Sequence, residues 1–192
     1  MKETISLPDA ITIENGVFIK YCGDDEKVIV PEGVTEIAKF AFFRKSHIKE
    51  IVLPSTLEKI GEYAFYNAYG ITELVLPQGV CEIGEGAFMY CGFREMVLPK
   101  GVKIVEKSTF SYNHKLKKVV LPQGLMEIGE GAFRCCDKLA SVNIPEGIAK
   151  IGPYAFSACN SLMKLDVPES CQKGSDFYTS PKWGKVQKKN KK

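Results

Sequence analysis

Apolar residues recur along this chain in a fixed series of spacings, and the series restarts every 22 or 23 residues. The unit reads P-x-G-V-x-x-I-G-x-x-A-F-x-x-C-x-x-L-x-x-V-x-L, and the copy from Pro122 to Ile144 follows it closely. Its last segment, as in Leu139-Ala140-Ser141-Val142-Asn143-Ile144, ends in the period-2 alternation of a half-buried strand. Proline then stops the strand because it has no N–H for the ladder, and Pro-x-Gly predicts a type I turn with proline second and glycine fourth. Ser55-Thr56 replaces the usual x-Gly in one copy, so a positive φ is not required there. After the turn, the inward pair Val34/Ile37 recurs as Leu57/Ile60, Val80/Ile83, Val102/Val105, Leu125/Ile128 and Ile148/Ile151, which fits a second short strand or extended segment. An Ala-Phe or Thr-Phe pair follows and places Phe42, Phe65, Phe88, Phe110, Phe133 and Phe156 in one column. The next inward position, four residues after Ala or Thr, predicts about one helical turn.

Pro31, Pro54, Pro77, Pro99, Pro122, Pro145 and Pro168 mark the period, with gaps of 23, 23, 22, 23, 23 and 23 residues. A unit this short buries too little apolar surface to fold alone, so each copy must stack on its neighbours. The expected fold is a repeat solenoid of mostly β character, a parallel strand stack with short helical or 3₁₀ turns and a cap at each end. Residues 1–30 are read as an N-terminal cap, since Ile11-Thr12-Ile13 and Val17-Phe18-Ile19-Lys20-Tyr21 flank the hairpin signal Asn15-Gly16. Residues 31–167 are six repeats. Residues 168–186, with Phe177, Tyr178 and Trp183, close the other end, and the lysine-rich stretch 187–192 is expected to be a disordered tail.

The segments Ile60-Gly61-Glu62-Tyr63-Ala64-Phe65 and Ile151-Gly152-Pro153-Tyr154-Ala155-Phe156-Ser157-Ala158-Cys159-Asn160-Ser161-Leu162 resemble the BspA-type leucine-rich repeat family. The resemblance extends over about residues 11–186, including Ile13-Glu14-Asn15-Gly16-Val17 at the start and Val167-Pro168-Glu169 through Trp183 at the end. It implies a right-handed leucine-rich-repeat solenoid with a parallel sheet on one face. It also implies a role in protein binding or adhesion, often at a bacterial or protist surface. The start of the chain lacks the apolar block of a secretory signal, and no anchor follows the repeats. The expected location is therefore cytoplasmic, with a secreted or cell-surface adhesin of the same fold as the alternative.

Composition narrows the functional classes. No stretch reaches the 18 or so apolar residues that span a bilayer. The net charge of +3 is a tail property: residues 174–192 hold six lysines against one aspartate, +5, which leaves −2 for the rest. The folded body therefore has no basic footprint for nucleic acid, and the tail reads as a solubilising end. The seven cysteines form no CxxC pair, and Cys136 and Cys159 share a repeat position facing the core. Free thiols acting as small hydrophobes are expected, with no metal cluster. Gly84-Glu85-Gly86 and Gly129-Glu130-Gly131 begin like a dinucleotide fingerprint, yet Met89 and Arg134 stand where its third glycine belongs. No cofactor is expected. His47 and His114 are the only histidines, and neither lies in a hydrolase or metalloprotease motif. Recurring carboxylates such as Glu62, Glu85 and Glu130 sit in like environments, whereas an acid–base pair needs unlike ones. The chain is read as a non-enzyme.

What remains is the outward side of the main strands. There the solvent-facing column runs Ile29, Val52, Val75, Val97, Val120, Asn143 and Asp166, bordered by Lys27, Glu50, Glu73, Glu95, Lys118, Ser141 and Lys164. A contiguous apolar ladder beside three stacked glutamates is the candidate protein-binding strip: Ile29, Val52, Val75, Val97, Val120, Glu50, Glu73 and Glu95. Its partner would offer apolar side chains with nearby Lys or Arg. The strip could also bury itself against a second copy.

Overall fold

The computed structural model of the chain describes residues 10–179. Successive coils, each beginning at one of the periodic prolines, stack on one another and share two parallel ladders. In the first sheet Lys27–Ile29 pairs with Glu50–Val52, and Glu95–Val97 pairs with Lys118–Val120 and then Ser141–Val142. The second sheet carries Glu36–Ile37, Lys59–Ile60 and Glu82–Ile83 in one run and Ile104–Val105, Glu127–Ile128 and Lys150–Ile151 in another. Partners lie 23 residues apart, as in Lys27↔Glu50 and Lys59↔Glu82, so the sequence period is the register.

The turn at each proline sits one residue later than the composition suggests. The N–H of Val80 donates to the Pro77 carbonyl at 3.1 Å, and Leu125 donates to Pro122 at 3.0 Å. Proline is thus first in the turn rather than second: its ring ends the ladder while its carbonyl, the only polar backbone group it has, accepts the closing bond. Among the glycines that follow these prolines only Gly33 has a positive φ, so Ser55-Thr56 fits the same turn.

On the third side there is no helix among the described residues. The short helical or 3₁₀ turns expected after the Ala-Phe pair are replaced by a chain of turns in which alternate N–H groups point different ways. Ala41, Phe43 and Lys45 donate to Ala38, Phe40 and Phe42 within their own coil. Phe40, Phe42 and Arg44 donate to Glu62, Ala64 and Tyr66 of the next coil at 3.1, 2.7 and 2.7 Å. A helical turn would consume all these donors internally and leave neighbouring coils unjoined on this face. The alternation requires a left-handed residue at every fourth position, and non-glycine residues take it: Phe40 (φ 62°), Arg44 (58°), Tyr63 (51°), Ser108 (55°) and Ala158 (57°).

Inside this ladder the phenylalanine column is continuous. Phe18, Phe42, Phe65, Phe88, Phe110, Phe133 and Phe156 are fully buried, with neighbouring ring centroids 4.8 to 5.5 Å apart. At one end Ile11–Glu14 and Val17–Tyr21 form an antiparallel hairpin whose Phe18 covers Phe42. At the other, the Phe156 N–H meets the Phe177 carbonyl and the Tyr178 hydroxyl donates to the Leu162 carbonyl. Trp183 and the lysine-rich tail lie outside the described residues.

Both sheets are interrupted near the middle of the stack. In the second sheet the Gly84 N–H reaches the Ile60 carbonyl at 2.8 Å and Gly129 reaches Val105 at 2.7 Å, but Glu106 makes no such bond to Ile83. The column explains this. A Cβ built at Gly84 would stand 2.7 Å from the backbone N of Glu62, and one at Gly129 would stand 2.7 Å from that of Lys107. Glu106 occupies the same column and does carry a Cβ, so its coil stands off from the one beneath it. In the first sheet, residues 73–75 belong to no strand. The short coil, which has only Gly92 between Cys91 and Phe93, keeps register with its successor and loses it with its predecessor. The turn ladder and the phenylalanine column cross the junction unbroken: Phe88 donates to Thr109 at 2.9 Å and stacks on Phe110.

Candidate protein-binding surface

The apolar column anticipated from the sequence lies on the outer face of the first sheet, because strand residues alternate between core and solvent. Ile29 is 60% exposed, Val52 41%, Val75 86% and Val97 58%, while Val120 is half-buried. Their alternating partners Val28, Ile51, Leu74, Met96 and Val119 are buried. Asn143 ends the apolar run and bonds the Leu121 N–H and carbonyl, both at 3.3 Å.

The bordering glutamates are not equivalent. Glu50 pairs with Lys27 at 2.7 Å. Glu73 and Glu95 have no ion pair among the described residues, and the Lys118 placed in register with Glu95 does not reach it. Both unpaired carboxylates stand where the first sheet opens. The opening is a groove of about 650 Å³ lined by Glu73, Val75, Arg94, Glu95, Val97 and Lys117. Arg94 and Lys117 were not part of the candidate strip read from the sequence. The signal for them was the 22-residue gap between Pro77 and Pro99, since a missing residue must open the stack on one side. On the second sheet the break between Ile83 and Glu106, one coil on, borders a depression of about 690 Å³ beside Ile60, Ile83 and Ile104.

The sequence profile of the BspA type leucine rich repeat region matches residues 11–92 and 81–182, with six copies. The chain belongs to the BspA-type leucine-rich repeat family. Among solved structures, a leucine rich repeat protein from T. pallidum superposes with a TM-score of 0.83 at 29% identity, covering 92% of this chain and 88% of its own. Leucine-rich repeat proteins from Bacteroides ovatus (TM-score 0.82, 25% identity, 91% of this chain) and Eubacterium ventriosum (0.77, 25%, 87%) share the fold. The chain spans 49% and 47% of those two larger proteins. No curated protein matches the sequence.

In this BspA-type solenoid all seven cysteines are free. The core column has a structural use: the thiols of Cys91, Cys136 and Cys159 donate to the carbonyls of Phe65, Phe110 and Phe133, one coil back, at 3.1 to 3.2 Å. Burial holds these thiols protonated, pushing Cys159 up to about 12 and Cys136 well above the usual thiol range. Asn113 takes the same position in the coil that contains Glu106, and its Nδ2 donates to both Phe88 and Phe110 carbonyls at 2.8 Å. His47 and His114 are far apart in the stack, and His114 Nδ1 lies 2.5 Å from Asp137 Oδ2. Among the described residues no group of three or more His, Cys, Asp or Glu is placed to hold a metal ion, and no helix is long and apolar enough to cross a membrane.

Proposed function

We propose that this chain is a non-enzymatic protein-binding module that presents the exposed face of its first sheet to a protein partner. The observation that carries the reading is the run Ile29, Val52, Val75 and Val97, exposed apolar side chains at one repeat position. Ile29 is paired to Val52 and Val97 to Val120 in the ladder, and Val75 stands in the opening between them, above the buried Val28, Ile51, Leu74 and Met96. A rigid strip of this kind loses little conformational entropy on binding, so modest contacts suffice. Glu73 and Glu95, unpaired beside the most exposed valine, favour a partner with apolar side chains and an adjacent Lys or Arg. An odd number of cysteines, three of them buried as single thiols bonded to backbone carbonyls, fits a reducing, cytoplasmic setting. The alternative is a secreted or cell-surface adhesin, and fractionation of the native cell decides between them.

The double substitution Val75→Lys and Val97→Lys tests the strip. Both residues point away from the core, so the circular dichroism and unfolding midpoint should match wild type, while partner capture from native lysate should be lost. A double mutant that captures the same partner as well as wild type sinks the reading. Sedimentation of both proteins alone separates a second copy of this chain from a foreign partner, since self-association through the strip would also disappear.

A further inference from the structure

The missing residue in the short coil leaves a second feature, at the edge where the turn face meets the first sheet. In the neighbouring coils two residues stand between the core position and the next inward one: Tyr69-Gly70 between Ala68 and Ile71, and His114-Lys115 between Asn113 and Leu116. In the short coil only Gly92 stands between Cys91 and Phe93, and it has no side chain. Nothing therefore projects between Tyr69 on one side and His114 on the other, two coil steps apart, roughly 9 to 10 Å. The result is a notch of about 260 Å³, floored by buried Cys91 and Gly92 and walled by Tyr69, Tyr90, Tyr112 and His114.

Three observations say what the notch can take. Its volume falls below the roughly 300 to 1,000 Å³ of cavities that enclose a whole small ligand, so it suits one side chain. Its walls are aromatic and fixed: Tyr90 and Tyr112 stack at 4.6 Å, Tyr112 meets His114 edge-on at 6.2 Å, and Asp137 holds the imidazole through Nδ1. Tyr69, 55% exposed, offers the opposite wall. Finally, the rim is cationic. Lys115 lines the notch, Lys117 two residues on and Arg94 line the neighbouring groove, and Lys138 takes the repeat position of Lys115 in the next coil. None of the four has an ion pair among the described residues, and the nearby Asp137 is already engaged by His114 and Asn160. An aromatic recess ringed by uncompensated cations complements an apolar side chain flanked by carboxylates.

We infer that the notch is a docking point for an acidic peptide segment, one apolar or aromatic side chain of which enters between Tyr69 and His114 while its carboxylates meet Lys115, Lys117, Arg94 and Lys138. The notch shares no lining residue with the groove beside the valine strip, although Arg94 and Lys117 of its rim also line that groove, and its charge preference is the opposite.

The test uses the full chain, ¹⁵N-labelled, and two blocked pentapeptides, Glu-Asp-Phe-Asp-Glu and Lys-Arg-Phe-Arg-Lys. At millimolar peptide the acidic probe should shift the amide resonances of Gly92, His114 and Lys115, and the basic probe should not. K115E/K117E, which alters only exposed side chains, should weaken the acidic peptide about tenfold or more, whereas V75K/V97K should leave it unchanged. Absence of shifts at Gly92 and His114, equal response to both peptides, or equal binding by K115E/K117E and wild type would each overturn the assignment. Loss of binding in V75K/V97K would overturn it too, because the probe would then be sitting on the strip.

Discussion

Each cysteine in the core column packs as a small apolar group and also gives its S–H to a carbonyl one coil back. The thiolate would forfeit that bond and stand charged in an apolar layer, which is why burial raises Cys136 and Cys159 so far. Alkylation requires the thiolate and access. Native protein treated with iodoacetamide at mildly alkaline pH should therefore be modified at exposed Cys22 and Cys81. Cys91, Cys136 and Cys159 should react only in denaturant. Peptide mass spectrometry reads this directly, and native labelling of Cys136 as fast as Cys81 would contradict the buried column. Asn113 shows the same logic with a stronger donor, two 2.8 Å bonds in place of one weak thiol contact, at the coil where the second sheet fails to bridge.

At the scale of the element, the turn face sets backbone strain against inter-coil bonding. A left-handed non-glycine residue costs about 1 to 2 kcal/mol, and the chain accepts that at Ala158 (φ 57°), whose N–H gains the Thr179 carbonyl at 2.9 Å. Gly131 has nearly the same φ, 58°, in the neighbouring column, and a Cβ there would meet nothing closer than 3.7 Å. Space is not limiting at Gly131, so the pair isolates conformation. Ala158→Gly should stabilise the protein by about 1 kcal/mol and Gly131→Ala should destabilise it by a similar amount, the reverse of the usual order in regular elements. Urea unfolding measures both, and a stabilising Gly131→Ala would refute the strain argument. This face was also the least legible part of the fold. The strands, the phenylalanine column and the exposed valines could be read because each follows a local period of side-chain burial. Phe40, Arg44 and Tyr63 violate local preference, and only the ladder between coils explains them. The notch was hidden for a different reason: the 22-residue gap was plain in the sequence, but a site made by an absent side chain shows only once Tyr69 and His114 are brought to either side of Gly92.

For the molecule as a whole, the consequence is a stack of coils joined along its turn face, with the second sheet broken between Ile83 and Glu106 and the first sheet paired only between Lys27–Ile29 and Glu50–Val52 and from Glu95–Val97 to Ser141–Val142. At the central junction the turn ladder persists through Gly86, Phe88 and Tyr90, whose N–H groups meet Lys107, Thr109 and Ser111 at 2.9 to 3.0 Å. The second sheet is open there while the first stays paired, Glu95–Val97 against Lys118–Val120, so the backbone amides facing the second-sheet opening lack the protection their counterparts enjoy elsewhere. The Glu106 amide should exchange with deuterium on the order of a hundredfold faster than those of Gly84 and Gly129, although all three occupy one column. The cause can be transplanted. Gly129→Ala puts a Cβ 2.7 Å from the Lys107 backbone N, which only a shift of the coils can relieve. Overpacking of that kind costs roughly 1 to 3 kcal/mol. The substituted protein should lose that much stability and show fast exchange at residue 129, creating a second opening one coil beyond the first. If residue 129 stays protected in that variant, or Glu106 is already as protected as Gly129 in wild type, then the column does not control the stacking, and the shortened coil alone must account for the break.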